Sequence, residues 1–310
     1  MVAGRTDGLR PRLARAAVES AVVAYAARMR RYARMPELDI WYDGMHVDSL
    51  LDYFEPADRG RVSVHIEKQQ RRRTHRGAYD RLTEVAHGRP RITEDPPVRT
   101  TVDDDEQIEL VDHLLAGYRS TLKEDRRHLF DRFTEADVVR QVVGVGSVGM
   151  RVYLVLLEGR SGVDPLFLQC KQAGPSVYED HLGPGTHGHH GARVVAGKRL
   201  VQSATDLFVG WATFRGHDYY VRQFRDMKII PTIELVGPRL AEFATACGES
   251  LARAHARTGD PVAIDAYLGK GTGFTEAMVD FAGRYADQNE RDHAELVAAI
   301  TSGTVEGRPD

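Results

Sequence analysis

The chain has 310 residues, enough for one large domain or two modest ones with a sizeable core. Its 42% hydrophobic and 28% charged content is ordinary for a globular protein, and a net charge of −3 gives the whole molecule no pull on nucleic acid or an anionic membrane. Two cysteines, Cys170 and Cys247, exclude a disulfide framework; with no secretory leader and no run of about 18 apolar residues, the expectation is a soluble, cytoplasmic protein.

Residues 1–100 read as a helical region followed by a basic stretch and a proline linker. An amphipathic helix is expected from Arg12 to Arg34, with Ala16, Val22, Val23, Tyr25, Ala26 and Met29 on its apolar face. A second, shorter helix fits His46 to Phe54. Lys68, Arg71, Arg72, Arg73 and Arg76 form a basic run that reads as a solvated helix face rather than a nucleic-acid surface. Pro90, Pro96 and Pro97 then suggest a linker or surface crossing.

Residues 101–230 read as a β-rich, nucleotide-binding region preceded by helix. Ile108, Val111, Leu114, Leu115 and Tyr118 recur at helical spacing, continued by Leu122, Leu129, Phe130 and Phe133. Gly144, Gly146 and Gly149 then form a G-x-G-x-x-G run. In a dinucleotide-binding fold the last glycine opens a helix. Here Met150 to Leu157 reads M-R-V-Y-L-V-L-L, which is strand composition, followed by the turn E-G-R-S-G and a second strand holding Lys171. Strand, glycine loop, strand, turn and lysine-bearing strand is the layout of the phosphate-covering hairpin of the protein-kinase fold. The candidate nucleotide-binding residues are therefore Gly144, Gly146, Ser147, Gly149 and Lys171. Glycine lets backbone N–H groups approach phosphate oxygens, and a neighbouring lysine adds a point charge.

A loop follows, then a helix expected over Arg193 to Thr205 and two strands, Leu207 to Phe214 and Asp218 to Gln223, joined at Arg215-Gly216-His217. His181, His187, His189 and His190 sit in the glycine-rich loop without the cysteines or fixed spacing of a structural zinc site. Residues 231–310 return to helix. Leu240, Phe243, Cys247, Leu251 and Ala254 make one apolar face and Phe274, Met278, Phe281 and Tyr285 the next. His255 and Asp260 invite comparison with a kinase catalytic loop, but no magnesium-binding asparagine follows before Asn289. His255 is therefore expected to be a hydrogen-bonded core histidine.

The phrases VVGVGSVGMR, LFLQCKQAGPSVYE, GARVVAGKRLVQSATDLFVGW, YYVRQFRDMK and LARAHARTGD, in this order, resemble the bacterial family called domain of unknown function 2252. The resemblance extends to YAARMRRYARMPELDIWY and YRSTLKEDRRHLFDRF, and so spans nearly the whole chain. It implies a fold related to protein kinases and aminoglycoside phosphotransferases: α+β, protein-kinase-like in a circularly permuted order, with a small antiparallel sheet lobe flanked by helices. Family members carry C-G-D-x-H-x-x-N and D-x-N-D-F-D-E segments before this region, which would supply the catalytic aspartate and the magnesium ligands. Neither is present here, so the resemblance implies an incomplete catalytic site. It also implies ATP as ligand, magnesium held by residues outside this chain, an unidentified acceptor substrate and conceivably a second chain carrying the missing lobe. Where the family reads K-E-A and R-V-V-E-G, this sequence has Gln172 and Ala196. The acid that usually orients the lysine is thus replaced, and Glu179 is the nearby candidate to stand in.

The expected function is that of the nucleotide-covering part of a kinase-like phosphotransferase or nucleotidyltransferase, with the strand end at Arg222 to Arg225 facing adenine. The alternative is a non-catalytic remnant or an interaction protein. A nicotinamide enzyme would need a helix after Gly149 and an acid about 20 residues on, where the sequence has Gln169 within a strand.

Overall fold

A computed structural model describes residues 11–44, 56, 59–60, 63–64, 75–86, 88–144, 149–160, 164–202, 204–224 and 236–306. The chain divides into two compact units, Met1–Val64 with Ile230–Asp310, and His65–Ile229. The helix expected over His46 to Phe54 and most of the basic run lie outside the described residues.

In chain order the helical unit opens with α1 (Pro11–Tyr32) and α2 (Glu37–Tyr42). The second unit follows with α3 (His75–Leu82) and the hairpin β1 (Thr83–Ala86) and β2 (Arg89–Ile92). Then come β3 (Arg99–Thr101), α4 (Asp104–Glu109), a π-helical stretch Leu110–Leu115, α5 (Ala116–Thr121) and α6 (Glu124–Phe130). The remaining elements of this unit are β4 (Thr134–Gln141), β5 (Val152–Glu158), β6 (Pro165–Ala173), α7 (Glu179–Leu182), α8 (His190–Val201), β7 (Gly210–Phe214) and β8 (His217–Gln223). The helical unit closes with α9 (Leu240–Thr258), α10 (Pro261–Leu268) and α11 (Thr272–Thr301). The chain is thus mixed α+β, with small antiparallel sheets.

The main sheet has six strands in the order β3-β4-β5-β6-β8-β7, every neighbouring pair antiparallel. Val152 to Leu157 are buried without alternation, because both faces of β5 are covered. Tyr153, Val155 and Leu157 face the helical segment 104–130, where Leu110, Leu114, Leu115 and Tyr118 join them in one core. Leu154 and Leu156, with Phe167 of β6, face the other way and pack with Ala78 and Leu82 of α3. Of the prolines expected to mark a linker, Pro90 lies in β2 of the β1–β2 hairpin, and Pro96 and Pro97 lie in the turn before β3. Asp137 of β4, fully buried, ties the hairpin down by accepting from the Ile92 N–H at 2.6 Å and Arg91 Nη1 at 2.9 Å. Arg215 and Gly216, at φ 47° and 73°, make the two-residue turn between β7 and β8, where both central residues need positive φ.

In the helical unit α9 packs on α1 through its smallest residues. A Cβ on Gly248 would lie 2.1 Å from the carbonyl oxygen of Ala21, so only glycine admits this approach. Ala252 and Ala256 complete the buried face, whereas Leu251 is 51% exposed. The stripe of large residues expected on α9 therefore flanks the contact instead of forming it. On α11 the buried residues are Val279 and Ala286, and the stacked pair Phe281 and Tyr285 is more than half exposed.

Candidate functional site

The site candidate lies on the sheet face that α3 leaves open. Strand pairing sets Val152, Lys171 and Tyr220 side by side across β5, β6 and β8, and Leu154, Gln169 and Arg222 in the next row. α3 covers Leu154, Leu156 and Phe167, so the row that contains Lys171 is not part of that core. Its opposite-face neighbours Tyr153, Cys170 and Val221 are buried in the larger core. Burial pushes the Cys170 thiol well up, leaving it a packed, inert residue. Lys171 is half-buried.

Gly144 and Gly149 frame the turn between β4 and β5 with φ of 35° and 77°, a backbone that L side chains adopt only with strain. Gly146 and Ser147, between them, lie outside the described residues. After the lysine strand, α8 is fixed against β8 by a dense set of contacts. A Cβ on Gly191 would sit 2.1 Å from the Tyr219 carbonyl oxygen, so glycine brings the first turn of α8 onto the strand. His189 caps this turn. Its Nδ1 accepts from the Ala192 N–H at 3.2 Å, which leaves the ring proton on Nε2, beside Thr213 Oγ1 at 3.2 Å and Asp218 Oδ1 at 3.3 Å. Asp218 Oδ2 also accepts from the His190 N–H at 2.8 Å. His189 and Asp218 are thus positioning residues for α8.

These elements enclose a cavity of about 490 Å³, whose lining includes Gly144, Met150, Val152, Lys171, Arg193 and Tyr220. Gly144 and Lys171 are brought together here; Gly149 is not among the lining residues. Arg193 was not anticipated. It reaches the cavity from α8, its Nη2 donating to the Gly174 carbonyl at 2.8 Å, with Glu179 Oε1 3.9 Å from its Nε. Glu179 therefore stands beside Arg193. Gln169, almost wholly buried, donates to Gln141 Oε1 at 2.8 Å and accepts from Arg222 Nη2 at 3.0 Å, which fixes the polar row behind the lysine. Burial raises the pKa of the Tyr220 hydroxyl, against the pull of the Arg222 charge, so it stays a neutral wall. The described lining residues thus include two cations, Lys171 and Arg193, and no carboxylate. Arg225, the far end of the stretch assigned to adenine, lies outside the described residues.

The other candidates resolve into structural parts. Asp260 Oδ1 accepts from the N–H groups of Val262 at 2.8 Å and Ala263 at 3.1 Å, capping α10 ahead of Pro261 at its first position. His255 is hydrogen-bonded, with Nδ1 2.9 Å from the Tyr25 hydroxyl, but it is exposed instead of lying in the core. The reason is the small-residue packing of α9, which turns the Cys247–Leu251–His255 line outward. Among the described residues no group of three or more His, Cys, Asp or Glu could hold a metal, and no helix is long and apolar enough to cross a membrane.

An antiparallel sheet with a glycine turn at one end and helices on both faces makes this an α+β protein with a cavity beside that turn. Over residues 1–299 the sequence matches the family DUF2252, described as an uncharacterized protein conserved in bacteria, and the chain belongs to that family. No curated protein and no solved structure is similar enough to match it.

Proposed function

We propose that the unit His65–Ile229 binds the phosphates of a nucleotide, ATP in the first instance, as the covering half of a protein-kinase-like site. The observation that carries this reading is the meeting of the Gly144 turn and Lys171 in one cavity. Supporting it is the run of elements: strand, glycine turn, strand, lysine strand, helix and two further strands, in the spatial order β4-β5-β6-β8-β7. That is the arrangement in which a sheet lays a glycine turn over phosphates while an adjacent strand presents the lysine.

Phosphoryl transfer also needs a group that accepts the acceptor's proton and oxygen ligands for magnesium. The described lining supplies neither an aspartate nor an asparagine, so binding is the activity assigned to this chain and transfer by it alone is very slow or absent. ATP binding by the whole chain and by Lys171→Ala tests the reading. Loss of a charge-assisted contact predicts binding weaker by about tenfold or more in the variant. Equal, undetectable binding in both proteins would sink it.

A further inference from the structure

The charge content of the cavity bears on what accompanies the phosphates. Kinase-type sites balance a polyphosphate with a lysine and with magnesium ions, themselves held by protein carboxylates or amides. Here the described lining holds two permanent cations, Lys171 and Arg193, and no carboxylate. Arg193 is three-quarters buried and its Nε makes no hydrogen bond. That Nε is inaccessible and lies 3.9 Å from Glu179 Oε1, so what Arg193 offers the cavity is its charge, carried on a planar guanidinium that matches phosphate oxygens. The start of α8 is not the anion seat, since its His190 and Ala192 N–H groups already serve Asp218 and His189.

We infer that the cavity takes a condensed phosphate chain as its metal-free anion, with Arg193 supplying the positive charge that a magnesium ion supplies elsewhere. This rests on the nucleotide-binding reading and gives it a different ion requirement. A free triphosphate carries two more negative charges than its magnesium complex, and a site with two cations and no metal ligands favours the former. Glu179, 3.9 Å from Arg193 Nε, partly offsets that charge.

Calorimetric titration of the full chain with ATP, once in EDTA and once in saturating magnesium, tests the inference, with tripolyphosphate and adenosine as further probes. ATP in EDTA should bind about fivefold tighter than in magnesium, tripolyphosphate in EDTA should bind comparably, and adenosine should not bind. Arg193→Gln should abolish the preference for metal-free ATP, Arg193→Lys should keep most of it, and Glu179→Gln should tighten metal-free binding about twofold. Thermal melts of each variant separate lost binding from lost fold; should Arg193→Gln not fold, Glu179→Gln carries the test, and an unchanged affinity there overturns Arg193's role. Binding that requires magnesium overturns the inference and leaves nucleotide binding standing. Absence of binding by both ATP and tripolyphosphate under either condition overturns both.

Discussion

The two units of this chain join their elements on opposite principles. In the β-rich unit the largest buried side chains are Tyr118, Tyr153, Tyr219 and Phe167, set on a sheet covered on both faces. In the helical unit Met29, Tyr32 and Ile40 are also fully buried, but α9 meets α1 through Gly248, Ala252 and Ala256, and polar groups are knitted together at the end of α1. A core of large residues suffers most from truncation, because a cavity remains. A helix contact made through small residues suffers most from enlargement, because backbones already touch.

Truncation in the sheet should give the larger effect. Phe167→Ala removes a fully buried ring between β6 and α3 and is expected to cost about 3–5 kcal/mol. Chemical denaturation measures the loss, and hydrogen exchange should show it in peptides covering α3, β5 and β6. A cost under about 1 kcal/mol would erase the distinction between the two interiors. Enlargement comes next. Gly248→Val drives a branched Cβ into the Ala21 carbonyl and should cost about 2–3 kcal/mol. Exchange should then quicken in α1 and α9. The converse change in the same helix, Leu251→Ala, removes an exposed side chain and should fall within about 0.5 kcal/mol of wild type.

The polar knot at the end of α1 gives the helical unit a pH signature. Asp43 accepts from Tyr32 Oη at 2.5 Å and Arg28 Nη2 at 2.7 Å, and its backbone carbonyl accepts from the buried Arg253. Burial alone would raise the Asp43 pKa, but the Tyr32 hydrogen bond and the Arg28 charge outweigh it and leave a net lowering. A lowered carboxyl pKa stabilises the fold above the unfolded value of about 4 and loses that contribution as pH falls through the folded value. Burial, then the bond to Asp43, pushes the Tyr32 hydroxyl up to about 12. That contribution is complete below about pH 10 and disappears as pH rises through about 12. Asp43→Asn should therefore cost about 1–2 kcal/mol at neutral pH and flatten the acid limb of the stability profile, which melts between pH 3 and 6 will show.

The sheet was legible in the sequence because its strands are short, apolar and bounded by turns, so 152–158 and 165–173 fall within a residue or two of where Met150 to Leu157 and the lysine run suggest. Periodicity could not tell which face of α9 is buried, since it ranks large residues first and the contact is made by Gly248 and its alanine neighbours. Nor could it find the β1–β2 hairpin, whose Pro90 and flanking arginines resemble a linker until Asp137, 45 residues away in sequence from Ile92, anchors it. At the candidate site the glycines and Lys171 were visible as a motif. Arg193 was not, because its place depends on Gly191 and Asp218 docking α8, a long-range fact with only a faint local sign in the H-H-G-A-R sequence.

A modest expected effect separates structure from chemistry at Asp260. The side chain closes two otherwise open N–H groups at the start of α10, and loss of such a cap costs about 1 kcal/mol. Asp260→Ala should show that loss in denaturant unfolding, while Asp260→Ser, whose hydroxyl can accept from the same N–H groups, should recover most of it. A carboxylate acting as a base in phosphoryl transfer would behave differently, because serine cannot take a proton at neutral pH and would restore no turnover. Stability restored by serine, with ATP affinity unchanged in both variants, assigns Asp260 to the helix start. A variant that kept full stability and lost nucleotide affinity would instead tie the helical unit to the chemistry of the sheet.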